Sequence, residues 1–262
     1  MNLKTILKRI RLKLLLLQLK SLGKESVKVK LKSGQLLSIR LCDPLGRQIL
    51  KDEAFEAATR DRILNEVTDG MTVLDVGANI GYYTVQFAQR VGPGGGVIAF
   101  EPNPVMIAEL DANLKLNRLE NVRILPFALC DKNAEAEFYC PQVGREAHGS
   151  LAPNETFVVN GVIRVQTRKL DDVLSELGTD AVDFIKIDAE GAERDIFRGA
   201  KRTLSAAGRP TIFFECAEAA CRPFGHSVGD VVRELADCGY VIERMEDSNW
   251  LAKPTDNPLL SS

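Results

Sequence analysis

The sequence lacks the features that would carry it across a membrane. No stretch of eighteen apolar residues occurs, so a spanning helix is not expected. The apolar run from Leu14 to Leu17 is too short for a signal-peptide core, and no small-residue cleavage site follows it. Cysteine is sparse: Cys42, Cys130, Cys140, Cys216, Cys221 and Cys238 contain no C-x-x-C pair. Cys216 and Cys221 stand five apart but have no histidine cluster to complete a zinc site, so all six read as reduced thiols of a cytoplasmic protein. An excess of basic charge is missing too. With 34 Lys and Arg against 36 Asp and Glu, the net charge is -2, and no nucleic-acid partner is expected. What remains is an ordinary globular composition over 262 residues, enough for one α/β domain with a short extension.

Charge is nevertheless uneven. Residues 1–24 carry Lys4, Lys8, Arg9, Arg11, Lys13, Lys20 and Lys24 with no acid among them. Leu3, Leu7, Ile10, Leu14 and Leu17 recur at steps of three and four, the period of an amphipathic helix. A basic helix of this kind either packs its leucines on its own domain or a second subunit, or lies on an anionic bilayer. Peripheral contact with the inner membrane surface through residues 1–22 is therefore an expectation to test. Val27, Val29 and Leu31 then alternate with lysines, Ser33-Gly34 forms a turn, and Leu36 to Leu41 reads as the second strand of a β-hairpin. Asp43-Pro44-Leu45-Gly46 reads as a loop, and Asp52 to Val67 as one helix.

From residue 71 onward strands and helices alternate. Apolar strands are expected at 73–76, 97–100, 122–127, 182–187, 211–214 and 240–244. Helices are expected at 82–91, 104–117, 170–177, 192–204 and 228–238, and two further strands at 135–139 and 162–167 flank a long polar loop. Continuous apolar strands alternating with helices mean a doubly wound, mostly parallel sheet covered on both faces. Ligands in such sheets bind at the carboxyl ends of the strands.

Acids cluster at those ends. The first strand runs into Asp75-Val76-Gly77-Ala78-Asn79-Ile80-Gly81, whose glycines allow a tight turn and close approach of a ligand. Asn79 and Tyr82 stand where a dinucleotide fingerprint needs its second and third glycines, which argues against a nicotinamide cofactor. The second strand ends at Glu101, placed to accept both hydroxyls of a ribose. After the third, Ala128 and its neighbours suit an adenine slot, with Asp131 as acceptor for the exocyclic amine or as a plain cap. The fourth strand carries Lys186 and Asp188 on one face. The fifth ends at Glu215, about 5 Å from the fourth by strand spacing, so Asp188 and Glu215 are expected to face one pocket.

The strings VLDVGANIGYYT at 73–84, AFEPNP at 99–104, LDDVL at 170–174, FIKIDAEGAERDIFRGA at 184–200 and IFFE at 212–215 together resemble the FkbM family of methyltransferases. The similarity spans about residues 47–253. It implies an α/β class I methyltransferase fold, Rossmann-like, with a seven-stranded sheet whose last strand is antiparallel. It also implies S-adenosyl-L-methionine as methyl donor and O-methylation of a small-molecule, glycan or glycolipid hydroxyl. Residues 1–46 then form a helix-and-hairpin extension and 47–262 the methyltransferase domain. By the resemblance, Asp75, Gly77, Asn79 and Gly81 match the cofactor loop and Glu101 the ribose acid. Ala128 and Asp131 match the adenine edge. Lys186, Asp188 and Glu190 match a K-x-D-x-E-G signature on the active-site side.

Methyl transfer is an in-line displacement, so the protein's main task is to align the acceptor and remove its proton. Asp188 and His148 are the candidate bases, the latter from the long loop. Lys186 orients Asp188 or stabilises developing alkoxide charge. A divalent metal held by Asp188 and Glu215 is a less favoured route. The reading from a different class is a non-catalytic cofactor-binding module anchored to a membrane surface or partner; the retained Asp75, Glu101 and Asp188 argue against it.

Overall fold

The computed structural model describes residues 21–141, 149–153 and 159–255, together with Leu14 and residues 17–19. Most of the expected basic helix, and His148, lie outside them. Leu14, Leu17 and Leu22 are exposed. Among the described residues no helix is long and apolar enough to cross a membrane.

The chain opens with the hairpin β1 (Ser26–Lys30) and β2 (Leu36–Arg40), antiparallel as the alternation predicts. The expected loop at Asp43–Gly46 is instead the start of helix α1 (Pro44–Asp52). Asp43 caps it by accepting from the Leu45 N–H at 2.9 Å, and Pro44 occupies the first turn, where its missing N–H costs nothing. The expected helix at 52–67 is also broken. Glu53 and Glu56 adopt left-handed backbone between α1 and α2 (Ala57–Asn65), which separates the two helices.

The core then follows the predicted alternation: β3 (Thr72–Val76), α3 (Tyr82–Val91), β4 (Gly96–Phe100), α4 (Pro104–Asn117) and β5 (Val122–Leu125). The expected third strand at 122–127 stops early. Ala128 and Leu129 form a short β6 that leaves the main sheet and pairs with β8 (Val159–Arg168), beside β7 (Ala134–Pro141), in a sheet of order β6-β8-β7. Next come α5 (Leu170–Leu177), β9 (Phe184–Ile187), α6 (Glu193–Arg198), α7 (Lys201–Ser205), β10 (Thr211–Glu215), α8 (Glu218–Cys221), α9 (Val228–Ala236), β11 (Tyr240–Arg244) and β12 (Asn249–Pro254). A single helix was expected across 192–204. It breaks at Gly199, where a Cβ would meet the Cys130 carbonyl oxygen at 2.0 Å.

The main sheet has seven strands in the order β11-β12-β10-β9-β3-β4-β5. Pairings among β5, β4, β3, β9 and β10 are parallel, and β12 runs antiparallel between β10 and β11. This is the class I methyltransferase arrangement with its last strand reversed. β12 has no clear signal in the local pattern, because NWLAKP neither alternates cleanly nor runs apolar. Pairing on both of its edges and burial of Leu251 and Ala252 create it.

The hairpin is welded to this core. Leu37 and Ile39 share an apolar cluster with Val85 and Phe87 of α3 and with Val73 and Phe184 of the sheet. Backbone groups of β2 pair with α4 side chains: the Ser38 N–H donates to Asn113 Oδ1 at 2.7 Å, and the Leu36 N–H to Asn117 Oδ1 at 2.9 Å. Asn113 also donates to the Ile80 carbonyl at 2.8 Å, which ties the hairpin to the loop after β3.

Candidate functional site

A cleft with about 630 Å3 of space, including its open mouth, lies at the carboxyl ends of the central strands. Its walls come from four strand ends: Gly77 and Asn79 after β3, Glu101 and Pro102 after β4, Ala128 and Leu129 in β6, and Asp188 to Glu190 after β9. Phe127, Met106, Ile196 and Phe138 add apolar surface, and Gly149 and Leu151 of the long loop close one side.

The loop after β3 owes its shape to close backbone contact. Gly77 has φ +74, and a Cβ there would meet the Asp188 carbonyl oxygen at 1.9 Å. The N–H groups of Gly77 and Ala78 both donate to the Phe100 carbonyl, at 3.0 and 3.1 Å. Glu101 then fastens the loop from its other side. Its Oε2 accepts the Asn79 N–H at 2.8 Å and its Oε1 the Asn103 N–H at 2.9 Å. A carboxylate has about four acceptor positions, so both oxygens keep capacity for hydroxyl donors. Burial pushes the Glu101 carboxyl up to about 7, against the pull of those two backbone donors.

Lys186 is the buried cation the strand pattern demands a partner for. The register places it opposite Asp75. Its Nζ lies 3.6 Å from Asp75 Oδ1, 3.4 Å from Asp188 Oδ2 and 3.3 Å from the Gly77 carbonyl, over the face of Tyr83. Burial works against its charge, yet Asp188 and Asp75 outweigh burial and hold the ammonium above the usual lysine value. Asp75 is wholly buried, and Oδ2 accepts from the Thr84 hydroxyl at 2.6 Å. Burial raises its pKa more than Lys186 and Thr84 lower it.

On the β9–β10 side the carboxylates are less enclosed. The Asp188 side chain is 38% exposed. Glu215 accepts from the Ser248 hydroxyl at 2.8 Å, and burial, then repulsion from Asp188, pushes it up to about 7. Glu56 lies near enough for burial and then Asp188 to raise it as well.

Of the residues singled out from the sequence, Gly77, Asn79, Glu101, Ala128 and Asp188 line the cleft together. Asp75 and Lys186 lie beneath its floor, Gly81 (φ +87) opens the turn into α3, and Glu215 neighbours Asp188. Asp131 is not among the lining residues; the Cys130 thiol donates to it at 3.4 Å. Sequence reasoning missed Glu56, hidden inside an expected helix. It also missed the apolar wall of Phe127, Phe138 and Leu151, whose positions depend on β6 to β8. Ser150 went unnoticed too: it is buried and donates to the Glu190 carbonyl at 3.0 Å, tying the loop to the cleft.

The sequence profile of the Methyltransferase FkbM domain matches residues 75–242, the stretch that carries all four of these strand ends. The chain belongs to the FkbM methyltransferase domain family. Among curated relatives of this family member is a 2-O-methyltransferase, NoeI of Sinorhizobium fredii, 32% identical over 51% of this chain and 58% of that protein. Another is the 31-O-demethyl-FK506 methyltransferase FkbM of Streptomyces tacrolimicus, 29% identical over 70% of this chain and 77% of that protein. The match to NoeI thus spans little more than half of that relative's length. Among solved structures, a methyltransferase FkbM from Methylobacillus flagellatus KT aligns with a TM-score of 0.49 and 18% identity, over 71% of this chain and 43% of that one.

Proposed function

We propose that this FkbM-family chain is an S-adenosylmethionine-dependent methyltransferase that methylates a hydroxyl of a sugar, glycolipid or natural product. The observation that carries the reading is Glu101: a carboxylate at the cleft wall, fixed by one backbone donor on each oxygen and still able to accept from a diol. S-adenosylmethionine, when bound, supplies an activated methyl group. We assign its nucleoside to Glu101, its turn to Gly77 and Asn79, and its base to the apolar slot of Ala128, Leu129, Phe127 and Met106. The bare Gly77 backbone, with no room for a side chain, fits a ligand passing close to the loop. Asp75 is assigned a supporting role, pairing Lys186 under the floor.

Asp188 is the proposed base. It reaches the cleft, it is partly exposed, and Lys186 holds one of its oxygens. Lys186 is 3% exposed and already shared among three acceptors, which favours orienting Asp188 over touching the acceptor. Glu215, with a carboxyl near neutrality, is placed to receive a proton from the same region. A divalent cation held by Asp188 and Glu215, for which two carboxylate oxygens with waters would suit magnesium, is the less favoured route. A hydroxyl as the acceptor is supported by the 2-O-methyltransferase relative. A cytoplasmic protein resting on the inner membrane face through residues 1–22 is supported by the six cations there and by the exposure of Leu14 and Leu17.

The test is a screen of the purified protein with labelled S-adenosylmethionine against glycan, lipid and small-molecule fractions. A labelled, base-stable product formed by wild type and lost in Asp188→Asn is expected. Label on no fraction, together with no calorimetric binding of S-adenosylmethionine, overturns the reading.

A further inference from the structure

Behind the Asp188–Glu190 loop, away from the cleft, three potential ligands meet. Glu193 opens α6, Cys216 follows β10, and Cys221 ends α8. The two sulfurs are 3.3 Å apart. All three ligand atoms lie within 4.8 Å of one another, and this is the one such group of three among the described residues. Glu193 and Cys221 are wholly buried and Cys216 nearly so. Glu193 Oε1 accepts the N–H groups of Ala189 and Gly191, each at 3.2 Å. Its Oε2 is buried with no hydrogen-bond partner. A buried carboxylate oxygen left without a donor, beside two adjoining thiols, is a donor set of the kind that thiophilic cations take.

We infer that Glu193, Cys216 and Cys221 form a site for a thiophilic divalent cation of the zinc class. Two sulfur ligands and one oxygen exclude the hard cations magnesium and calcium and suit zinc. A point among ligand atoms this close lies near the bond lengths zinc takes, about 2.3 Å to sulfur and about 2.0–2.2 Å to oxygen. Binding breaks two S–H bonds and the O–H bond of a protonated Glu193 carboxyl, releases these protons to solvent and forms two metal–thiolate bonds and one metal–carboxylate bond, with no change of oxidation state. The spacing C-x-x-x-x-C without histidine looked inert in the sequence; the third ligand comes from another segment. Gly191 presses against the Ala220 carbonyl oxygen, where a Cβ would lie 2.1 Å away, so the two loops are already in contact. A bound cation would clamp them and brace, through Glu193 Oε1, the backbone that carries Asp188 to the cleft.

The experiment uses the full chain, reduced and stripped with chelator, titrated with Co2+ and followed by visible and near-ultraviolet absorption. One equivalent should bind, with sulfur-to-cobalt charge transfer, and Zn2+ should displace it. Cys216→Ser with Cys221→Ser should lose the charge-transfer band, and Glu193→Gln should weaken binding by roughly tenfold or more. Cys42→Ser should change nothing. Absence of the band in reduced wild type overturns the site, as does a band that persists in the double variant. If the double variant does not fold, Glu193→Gln decides: unaltered Co2+ affinity in that folded protein removes Glu193 as a ligand and the proposal with it.

Discussion

The ends of β3 and β4 and the ends of β9 and β10 both present carboxylates, but hold them in opposite ways. Glu101 is gripped by backbone N–H groups on each oxygen and is 6% exposed. Asp188 is held by one lysine at 3.4 Å, and its side chain is 38% exposed. Backbone donors do not rotate, so the first side is preorganised for a ligand of constant shape. The second side is built from side chains, with Glu215, Glu56 and the long loop around it, and can differ in what it admits. The difference fits the proposed assignment of the first side to the cofactor and of the second to the methyl acceptor.

Lys186 joins the two sides, and removing it should have the largest effect. Lys186→Met leaves Asp75 buried without its cation, and breaking a buried pair from one end costs about 3–5 kcal/mol. Denaturant unfolding should show that loss. A variant as stable as wild type would mean that Asp75 does not depend on Lys186. Next in size, Asp188→Asn should lower turnover by about 10²-fold or more while leaving cofactor affinity nearly unchanged. An equal loss in both would merge the two sides into one. Glu101→Ala should do the reverse and weaken S-adenosylmethionine binding by about 1.5–3 kcal/mol. Calorimetry on the folded variant measures this, and unchanged affinity removes Glu101 from the cofactor.

A smaller effect should appear with pH. In the free protein burial holds Glu101 at about 7, above an ordinary glutamate. Hydroxyl donors favour the ionised form. Affinity should therefore hold above about pH 7 and fall by up to tenfold per unit below it, with proton uptake opposing binding. Glu101→Gln should flatten that profile. The same elevated carboxyl keeps its proton in the folded state where the unfolded chain has lost it. Its contribution to stability is thus present at acid pH and fades as pH rises towards 7. The smallest effect is expected from deleting residues 1–22: cofactor affinity within about twofold of wild type, since hydrogen bonds that fix the cofactor loop come from β4 and α4. Liposome flotation of the two forms tests the membrane contact separately, and equal flotation would count against it.

Local pattern was enough for the long elements of the core. Helix α4 begins and ends where Pro104 and Asn117 were expected to bound it, because Asn103 and Pro104 form a start signal that needs no distant partner. Helix α5 and strands β3, β4 and β9 were legible in the same way, as were the strand-end positions of Asp75, Glu101 and Asp188. The breaks were not. Glu53 and Glu56 take left-handed backbone that helix periodicity does not reveal, and Gly199, where the expected helix is interrupted, sits so close to the Cys130 carbonyl of another segment that no side chain fits.

What the sequence by itself determined was therefore the order of strands and helices and the list of acids at the strand ends, since these follow from periods of two and 3.6 and from local caps. Tertiary structure alone decided which acids face the cleft and which lie under it. Asp75 and Glu101 look alike in the chain, yet β-sheet register puts Lys186 beside the first, and backbone N–H groups from two loops converge on the second. It also decided that β12 exists, and that Glu193 meets Cys216 and Cys221, because contacts between segments distant in sequence leave no local trace in either one.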